Sequence, residues 1–222
     1  MNRIEIKVSD EIKSIAPDYK GVAILAQVEN STEADALWNK INEIESWLRE
    51  NYKIDQINKR PEILATRNAY KALGKDPNRY RPSAEALCRR VLKEMPLYRI
   101  SVLVDLINLI SIKYGYSIGG FDADYVDGNL ELGVGRSGEM FLAIGRGELN
   151  IEGLPVYRDQ KGPIGTPTSD EERTRLREGS TSLLMIINGY EGGLRFNDCI
   201  AETLCLLRQY AGMTSFDVIR IV

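Results

Sequence analysis

The sequence contains no histidine among its 222 residues. Imidazole is the usual acid–base group near neutral pH and the commonest metal ligand. Ser-His-Asp and Cys-His catalytic arrangements and histidine-based metal sites are therefore excluded. Cysteine is also scarce: Cys88, Cys199 and Cys205 include no C-x-x-C pair, so neither a zinc site nor a disulfide framework is expected. We expect the three thiols to be buried, and we predict no metal and no cofactor.

Long apolar runs are missing as well. The most apolar segment, ISVLVDLINLISI, is interrupted by Asp105 and Asn108, so it falls short of a membrane span. The start, MNRIEIKVSDEIK, alternates apolar and charged residues and lacks the apolar centre of a signal peptide. These absences predict a cytoplasmic protein that does not associate with a membrane.

Charge is unevenly distributed along the chain. The net charge of −3 by itself argues against a dedicated nucleic-acid-binding protein, and no DNA partner is expected. Between Lys59 and Arg99, however, eleven basic residues face four acidic ones. This asymmetry suits contact with a polyanion such as RNA, but it is equally compatible with solvated basic faces on two helices.

Helical patterns come early in the chain and strand patterns late. After strands at 3–8 and 21–28, Asn30 and Glu33 have capping-box spacing before a helix that ends near Tyr52. Further helices are predicted to begin at Pro61, Ser83 and Ser101, with stops at Gly74 and Gly115. Short strands follow from NLELGV, EMFLAIG, LPVYRD and TSLLMIIN, then a helix over 197–210 and an edge strand in FDVIRIV. Without β-α-β alternation, this order predicts the α+β class.

One glycine pattern is misleading. Gly133, Gly135 and Gly138 spell G-x-G-x-x-G, which holds a dinucleotide only where a helix begins at the last glycine. A strand-like segment, EMFLAIG, follows instead, so we interpret these glycines as part of a hairpin.

A longer stretch carries more information. In VDLINLISIKYGYSIGGFDADYVDGNLEL (104–132), a helix bears Asp105 and Asn108 on one face, a Gly119-Gly120 turn follows, and Phe121-Asp122 comes next. This arrangement resembles the beta subunit of bacterial phenylalanyl-tRNA synthetases, which reads V-D-V-T-N-Y, then P-L-H-A-F-D, then a D-G turn. Gly138-Glu139 matches a later G-E pair of that family, and LPVYRDQKGPIG matches its following strand.

The upstream residues match free-standing relatives of that module, the B3/B4-domain proteins. The shared elements are YKALGKDPNRYRPSAEALCRRVL (70–92), the Gly119-Gly120 pair, and an Asp-x-x-Arg-Thr element at Asp170, Arg173 and Thr174. The resemblance covers roughly residues 60–190. We therefore expect one domain over 1–222, with a β-β-α element at 1–55 and a C-terminal helix at 194–212 packed on the motif-bearing core.

The resemblance implies a layered β-β-α sandwich that edits tRNA. In the synthetase this module hydrolyses the ester of mischarged tRNA, and a free copy would act in trans without charging tRNA itself. The implied partners are the aminoacylated 3′ end of tRNA or a free amino acid. The candidate catalytic residues are Asn108, Asp122 and Glu139. The candidate substrate- or tRNA-binding residues are Arg67, Arg81, Ser83, Glu85, Arg89, Gly119, Gly120, Phe121, Arg173 and Thr174.

Three family positions differ in this chain. The editing-site histidine falls at Gly119, a threonine falls at Ile107, and a late glutamate has no equivalent near 185–188. An activated ester needs little beyond a positioned water and an oxyanion site, which a protein without histidine can supply. The rival hypothesis is a binding module without catalysis, which holds tRNA or a small ligand in the altered pocket.

The candidate side chains also have structural interpretations. Asp122 and Glu139 suit turns as well as catalysis, and Asn108 suits a buried hydrogen bond. Glu85 and Arg89, four residues apart, fit an ordinary helix ion pair.

Overall fold

The computed structural model describes residues 4–222. Within this range the helices are α1 Asp10–Ile15, α2 Asp35–Asn51, α3 Pro61–Ala72, α4 Ser83–Leu92, α5 Val102–Tyr114 and α6 Phe196–Tyr210. The strands are β1 Ile6–Val8, β2 Lys20–Gln27, β3 Ile118–Asp122, β4 Leu130–Val134, β5 Leu142–Ala143, β6 Gly147–Glu148, β7 Pro155–Asp159, β8 Gly162–Gly165, β9 Ser182–Gly189 and β10 Ser215–Ile221. The predicted α+β class is confirmed.

Two four-stranded sheets and a layer of helices make up the described chain. The outer sheet has the order β1-β4-β7-β8, and the inner sheet has the order β10-β2-β9-β3. β1 pairs parallel to β4, and the other pairings in these two sheets are antiparallel. β5 and β6 form a small separate hairpin. The FDVIRIV segment lies at an edge as predicted, since β10 is the terminal strand of the inner sheet.

The inner sheet is buried on both faces because its central strands are apolar at nearly every position. Val22 and Ile24 on β2 pack against the helices, while Ala23 and Leu25 face the outer sheet. Successive side chains of a strand point to opposite faces, so one continuous apolar run serves two cores. This arrangement is the expected β-β-α sandwich.

α5 lies at the centre of the helix layer and contacts α2, α4 and α6. It follows Ser101 and ends at Gly115, whose φ of +83° lies in the left-handed region that favours glycine. α3 begins with Pro61 as predicted. α5 is buried at most of its positions, and its strongly apolar composition accounts for this central place.

The predicted start of α2 is wrong. α2 begins at Asp35, and Asn30 does not cap it. The Oδ1 atom of Asn30 accepts from the main-chain N–H of Leu103 at 3.1 Å, in the first turn of α5. Asn30 thus provides a hydrogen-bond acceptor for a free N–H at the start of a helix that is distant in sequence. Local residue spacing does not reveal this contact.

The predicted Gly119-Gly120 turn is also wrong. Both glycines lie inside β3 and pair with Ile186 and Met185 of β9. A glycine pair is typical of a turn when only local sequence is considered, but here both residues pair with the buried part of β9 and are strand residues. The three residues that follow Asp122 form the turn instead, as one turn of 3-10 helix at Ala123–Tyr125.

The glycine pattern at 133–138 does not open a helix in the described chain. Gly138 has a φ of +70° in a turn, and the expected strand after it shortens to β5. Cys88 and Cys199 are buried as expected, but Cys205 is exposed. No helix among residues 4–222 is both long and apolar enough to cross a bilayer.

Candidate functional site

A pocket of about 520 Å³ lies between α4, α5, β3 and the segment 170–178. Its walls are mainly aliphatic, with side chains from Leu87, Val104, Ile107, Ile118, Ile144 and Leu176. The polar groups that line it are Ser83, Asn108, Ser111, Asp170, Arg175, Arg177 and Glu178. A largely apolar cavity with a few polar groups is typical of a small-ligand site.

α5 presents one face to the pocket. Val104, Asn108 and Ser111 are spaced four and three residues apart, which places them along the same side of a helix. Asn108 is partly exposed, and its side chain makes no hydrogen bond to another residue within 4–222. Its amide group is therefore available to a ligand in the pocket.

β3 supplies the opposite wall through Gly120. A Cβ at this position would lie 2.3 Å from Cδ1 of Ile107 and 3.2 Å from Cδ1 of Leu176. The strand can approach α5 this closely only because residue 120 has no side chain. Glycine at 120 thus sets the width of the pocket.

Asp170 is the acidic group of this wall. Its Oδ2 atom accepts from the main-chain N–H of Gly120 at 3.1 Å. Burial raises the pKa of this carboxyl to about 7, although the Gly120 N–H lowers it in part. No cationic side chain of the described range forms a salt bridge with it, so it is a carboxyl group without a counter-ion.

Asp122, a predicted catalytic residue, does not line the pocket. Its side chain is buried, and its Oδ2 atom accepts from the Ser180 hydroxyl at 2.6 Å. Its Oδ1 atom accepts from the N–H of Asp124 at 3.2 Å, which caps the turn after β3. Both carboxyl oxygens therefore have partners that hold the backbone after Gly119 and Gly120.

Glu139 also lies outside the pocket lining. Its carboxylate accepts from Nε and Nη2 of Arg158 at 2.6 Å each and from the N–H of Arg136 at 2.9 Å. Partial burial alone would raise the pKa of Glu139, but the Arg158 guanidinium and the Arg136 N–H lower it. This bidentate pair ties the turn at 136–139 to β7.

Most of the predicted binding arginines converge on Glu85 rather than on the pocket. Glu85 is fully buried on α4, and it pairs with Arg67 at 2.8 Å, Arg89 at 2.7 Å and Arg81 at 3.5 Å. Arg67 also donates to the carbonyl of Pro77 and to the side chain of Asn78. Much of the YKALGKDPNRYRPSAEALCRR motif thus fixes α3, α4 and the loop between them.

Ser83 is the part of that motif that reaches the pocket. It is the first residue of α4, and its main-chain N–H donates to the carbonyl of Pro167 at 2.8 Å. The ion-pair cluster around Glu85 therefore orients the pocket wall rather than forming it.

The remaining predicted residues support the neighbouring strands. Arg173 forms a bidentate pair with the buried Asp159, with both distances at 2.9 Å. Thr174 is fully buried, and its hydroxyl has no partner in the described chain. The ring of Phe121 packs close to Gly119 and Gly165, where an added Cβ would come within 2.8 Å of it.

Asn108, Ser83 and Gly120 are thus the predicted site residues that the pocket brings together. Asp170 has a place in the site that the sequence pattern did not indicate, because there it was only a matched position beside Arg173 and Thr174. Arg175, Arg177 and Glu178 were missed as well. The threonine, proline and serine residues that precede Asp170 do not indicate that its carboxyl group lies in the wall of a pocket.

The fold resembles that of a solved fragment of an aminoacyl-tRNA synthetase subunit. It is similar to a crystal structure of an N-terminal fragment of the phenylalanyl-tRNA synthetase beta-subunit from Pyrococcus horikoshii. The TM-score is 0.52 at 14% identity, with 100% of this chain and 52% of that fragment covered. At this identity the similarity shows the fold alone.

The family model described as the B3/4 domain matches residues 65–194, and the chain belongs to that family. The expected resemblance is confirmed. The chain is also 36% identical over 93 residues to the phenylalanine–tRNA ligase beta subunit of Bartonella henselae, covering 38% of this chain and 11% of that subunit. It thus spans about a tenth of that curated relative and about half of the solved fragment.

Proposed function

We propose that this protein hydrolyses the ester bond of mischarged aminoacyl-tRNA in trans, with the aminoacyl group bound in the pocket described above. The observation that carries the proposal is the pocket itself: Asn108 and Gly120, two family-matched positions, line one apolar cavity of about 520 Å³. A ligand cavity of this size accommodates an aminoacyl group together with part of a terminal ribose.

The chemistry requires few groups because an aminoacyl ester is already activated. The Asn108 side-chain amide can donate to the ester carbonyl oxygen as negative charge develops on it. The hydroxyls of Ser83 and Ser111 can hold a water or a ribose hydroxyl in the same cavity. Glu139 and Asp122 have no catalytic part in this proposal, because their carboxyl groups are engaged elsewhere.

The basic side chains near the pocket support an RNA-linked ligand. Arg175 is exposed and Arg177 is partly exposed, and both line the cavity. Arginine suits phosphate contacts because its guanidinium donates in a fixed, planar geometry. These two residues could meet the 3′-terminal phosphates of a tRNA whose aminoacyl group enters the cavity.

The test is deacylation of a panel of misacylated tRNAs by the wild-type protein and the Asn108→Ala variant. We expect hydrolysis of at least one aminoacyl-tRNA by the wild type, slowed roughly tenfold or more in Asn108→Ala. Absence of turnover on every member of the panel would overturn the proposal.

A binding module without catalysis is the second candidate. The observation that favours it is the composition of the pocket, which holds no histidine and whose only carboxyl groups are those of the partly buried Asp170 and the exposed Glu178. Binding of tRNA that weakens steeply with salt, without hydrolysis, would identify an RNA-binding version. Thermal stabilisation by one amino acid and none by tRNA would identify a small-ligand version.

A further inference from the structure

The carboxyl group of Asp170 is an unusual component of this pocket. A buried carboxylate is costly unless it has a partner, and most buried charges in proteins are paired. Glu85 and Asp159 are paired with arginines, and the buried Asp105 and Asp122 each accept hydrogen bonds on both carboxyl oxygens. In the described part of the chain, Asp170 has a single hydrogen-bond donor, the N–H of Gly120, and no cation.

Main-chain contacts on two sides fix the position of Asp170. The main-chain carbonyl oxygen of Asp170 accepts from the N–H of Ile144 at 3.1 Å. Asp170 also forms an antiparallel β-bridge with Gly165 at the end of β8. An added Cβ at Gly165 would lie 2.9 Å from Oδ1, and one at Gly119 would lie 3.4 Å from it. Side chains at these positions would crowd the carboxyl, so the glycines leave room for an acceptor fixed in advance.

The surroundings of Asp170 favour one kind of partner. The cavity walls are mainly aliphatic, and neither arginine of the lining forms a salt bridge with Asp170. Arg175 pairs with Glu172 at 2.7 Å, and Arg177 donates to the carbonyl of Arg175 at 3.0 Å. A metal ion is not favoured, since residues 4–222 contain no cluster of three or more potential ligands.

We propose that Asp170 binds the α-ammonium group of the ligand, and that the ligand is an α-amino acid unit with an apolar side chain. The ammonium would supply the cation that the carboxyl lacks, and the side chain would contact Val104, Ile107 and Leu176. This inference rests on the proposed function, because it specifies the aminoacyl group that enters the same pocket. It makes Asp170 a specificity residue rather than the base that activates water.

The test measures binding of small amides, which does not depend on hydrolysis. The probes are leucinamide, N-acetyl-leucinamide and 4-methylpentanamide, which share an apolar side chain and differ in the ammonium group. We expect wild-type protein to bind leucinamide in calorimetry at least about tenfold more tightly than either neutral probe, because only leucinamide gives a charge-assisted contact. Equal affinity for the three amides would overturn the inference.

Asp170→Asn removes the charge and keeps an oxygen that can accept from Gly120. We expect this variant to lose its preference for leucinamide over 4-methylpentanamide. The matched control is Glu178→Gln, which removes a carboxylate from the exposed lining of the same pocket and should retain the preference. An Asp170→Asn protein that retains the preference would contradict the inference. Should this variant fail to fold, the wild-type probe series decides alone.

A kinetic comparison separates this role from general-base catalysis. With leucine esterified to a non-cognate tRNA as substrate, either free or N-acetylated, an ammonium-binding Asp170 makes the wild type prefer the free amine, and Asp170→Asn abolishes that preference. If Asp170 were instead a general base, Asp170→Asn would lower the deacylation rates of both substrates by the same factor. That result would overturn the inference. Leucinamide binding without any deacylation would leave the inference standing and overturn the proposed hydrolase. Deacylation without any preference for the ammonium would support the proposed hydrolase and overturn the inference about Asp170.

Discussion

The main-chain N–H of Gly120 donates to Oδ2 of Asp170 across 3.1 Å, although the two residues are 50 positions apart in sequence. This contact joins β3 to the segment that leads into the pocket. It uses one of the several acceptor positions of the carboxyl, and the other oxygen, Oδ1, accepts no hydrogen bond from residues 4–222. The predictions that follow concern this contact, the wall it belongs to, and the ion pairs that support it.

Asp170→Asn should stabilise the unliganded protein at alkaline pH. Burial raises the pKa of Asp170 to about 7, so the folded state favours the neutral acid. The contribution of Asp170 to stability is complete below the unfolded pKa near 4 and is lost as the pH rises to about 7. We expect the free energy of unfolding of the variant to exceed that of the wild type by about 1–2 kcal/mol at pH 8. At pH 4 we expect the two proteins to be equally stable. Urea unfolding at both pH values measures this; an equal difference at both would be inconsistent with the raised pKa.

Leucinamide binding to the wild type should depend on pH in a bell shape. Only the ionised carboxyl pairs with an ammonium, so affinity should rise about tenfold between pH 5.5 and 7 as Asp170 loses its proton. Above roughly pH 8 the ligand amine loses its own proton and affinity should fall. Arg175, Arg177 and Glu178 are the other charged side chains of the lining, so Glu178→Gln is the control and should retain the profile. Calorimetry across this range tests the account, and a flat profile would refute it.

Gly120→Ala should close the pocket. The new Cβ would lie 2.3 Å from Cδ1 of Ile107, so the strand or the helix must move. We expect a loss of about 1–3 kcal/mol in the free energy of unfolding, together with loss of ligand binding. Gly133→Ala is the matched control on β4, because the nearest atoms to its Cβ would be the ends of the Arg158 and Glu131 side chains and the Ser9 hydroxyl. Similar behaviour of the two variants in thermal unfolding and ligand binding would contradict the assigned role of Gly120.

Asp159→Asn should destabilise the protein and flatten its acid sensitivity. Burial works to raise the pKa of Asp159, but bonds from Arg173 and from the N–H groups of Asp127 and Lys161 lower it overall. The stabilising contribution is therefore present above the unfolded pKa near 4 and is lost as the pH falls through the folded value. We expect the free energy of unfolding of the variant to be about 3 kcal/mol lower than that of the wild type at pH 7, because Arg173 loses its carboxylate partner.

The exposed pair of Asp127 with Lys161 provides the comparison, since Asp127→Asn should cost less than about 1 kcal/mol. Denaturant unfolding of both variants between pH 2 and 7 measures the difference. A pH dependence unchanged in Asp159→Asn would show that this carboxyl does not contribute to acid sensitivity.

The sequence predicted those elements whose signals are local. Pro61 and Gly115 mark helix ends, and the apolar run from Gly21 to Val28 marks a buried strand, because steric and burial preferences act within a few residues. The start of α2 and the strand nature of Gly119 and Gly120 depend on distant partners. Asn30 is bound to α5, and the glycine pair is held by β9.

The site was predictable to a smaller extent. Asn108 stands out as a polar residue on an apolar helix, and the family match singled out Gly120. The motif match gave Asp122 and Glu139 the same weight, yet Ser180 and Arg158 engage them at separations of 58 and 19 residues. Asp170 is distinguished by its place in the pocket lining and by the lack of a cationic partner, and both are properties of the folded chain rather than of its local sequence.

The most direct test compares Asn108→Ala with Glu139→Gln on the same aminoacyl-tRNA. Both residues are candidates from the sequence, but only Asn108 lines the pocket, whereas Glu139 pairs with Arg158 outside it. Single-turnover deacylation is the measurement, with folding of each variant checked by circular dichroism. The account predicts a rate roughly tenfold or more below the wild type for Asn108→Ala and a rate within about twofold for Glu139→Gln. Equal rates for the two variants, or a loss confined to Glu139→Gln, would contradict the assignment of the pocket as the functional site.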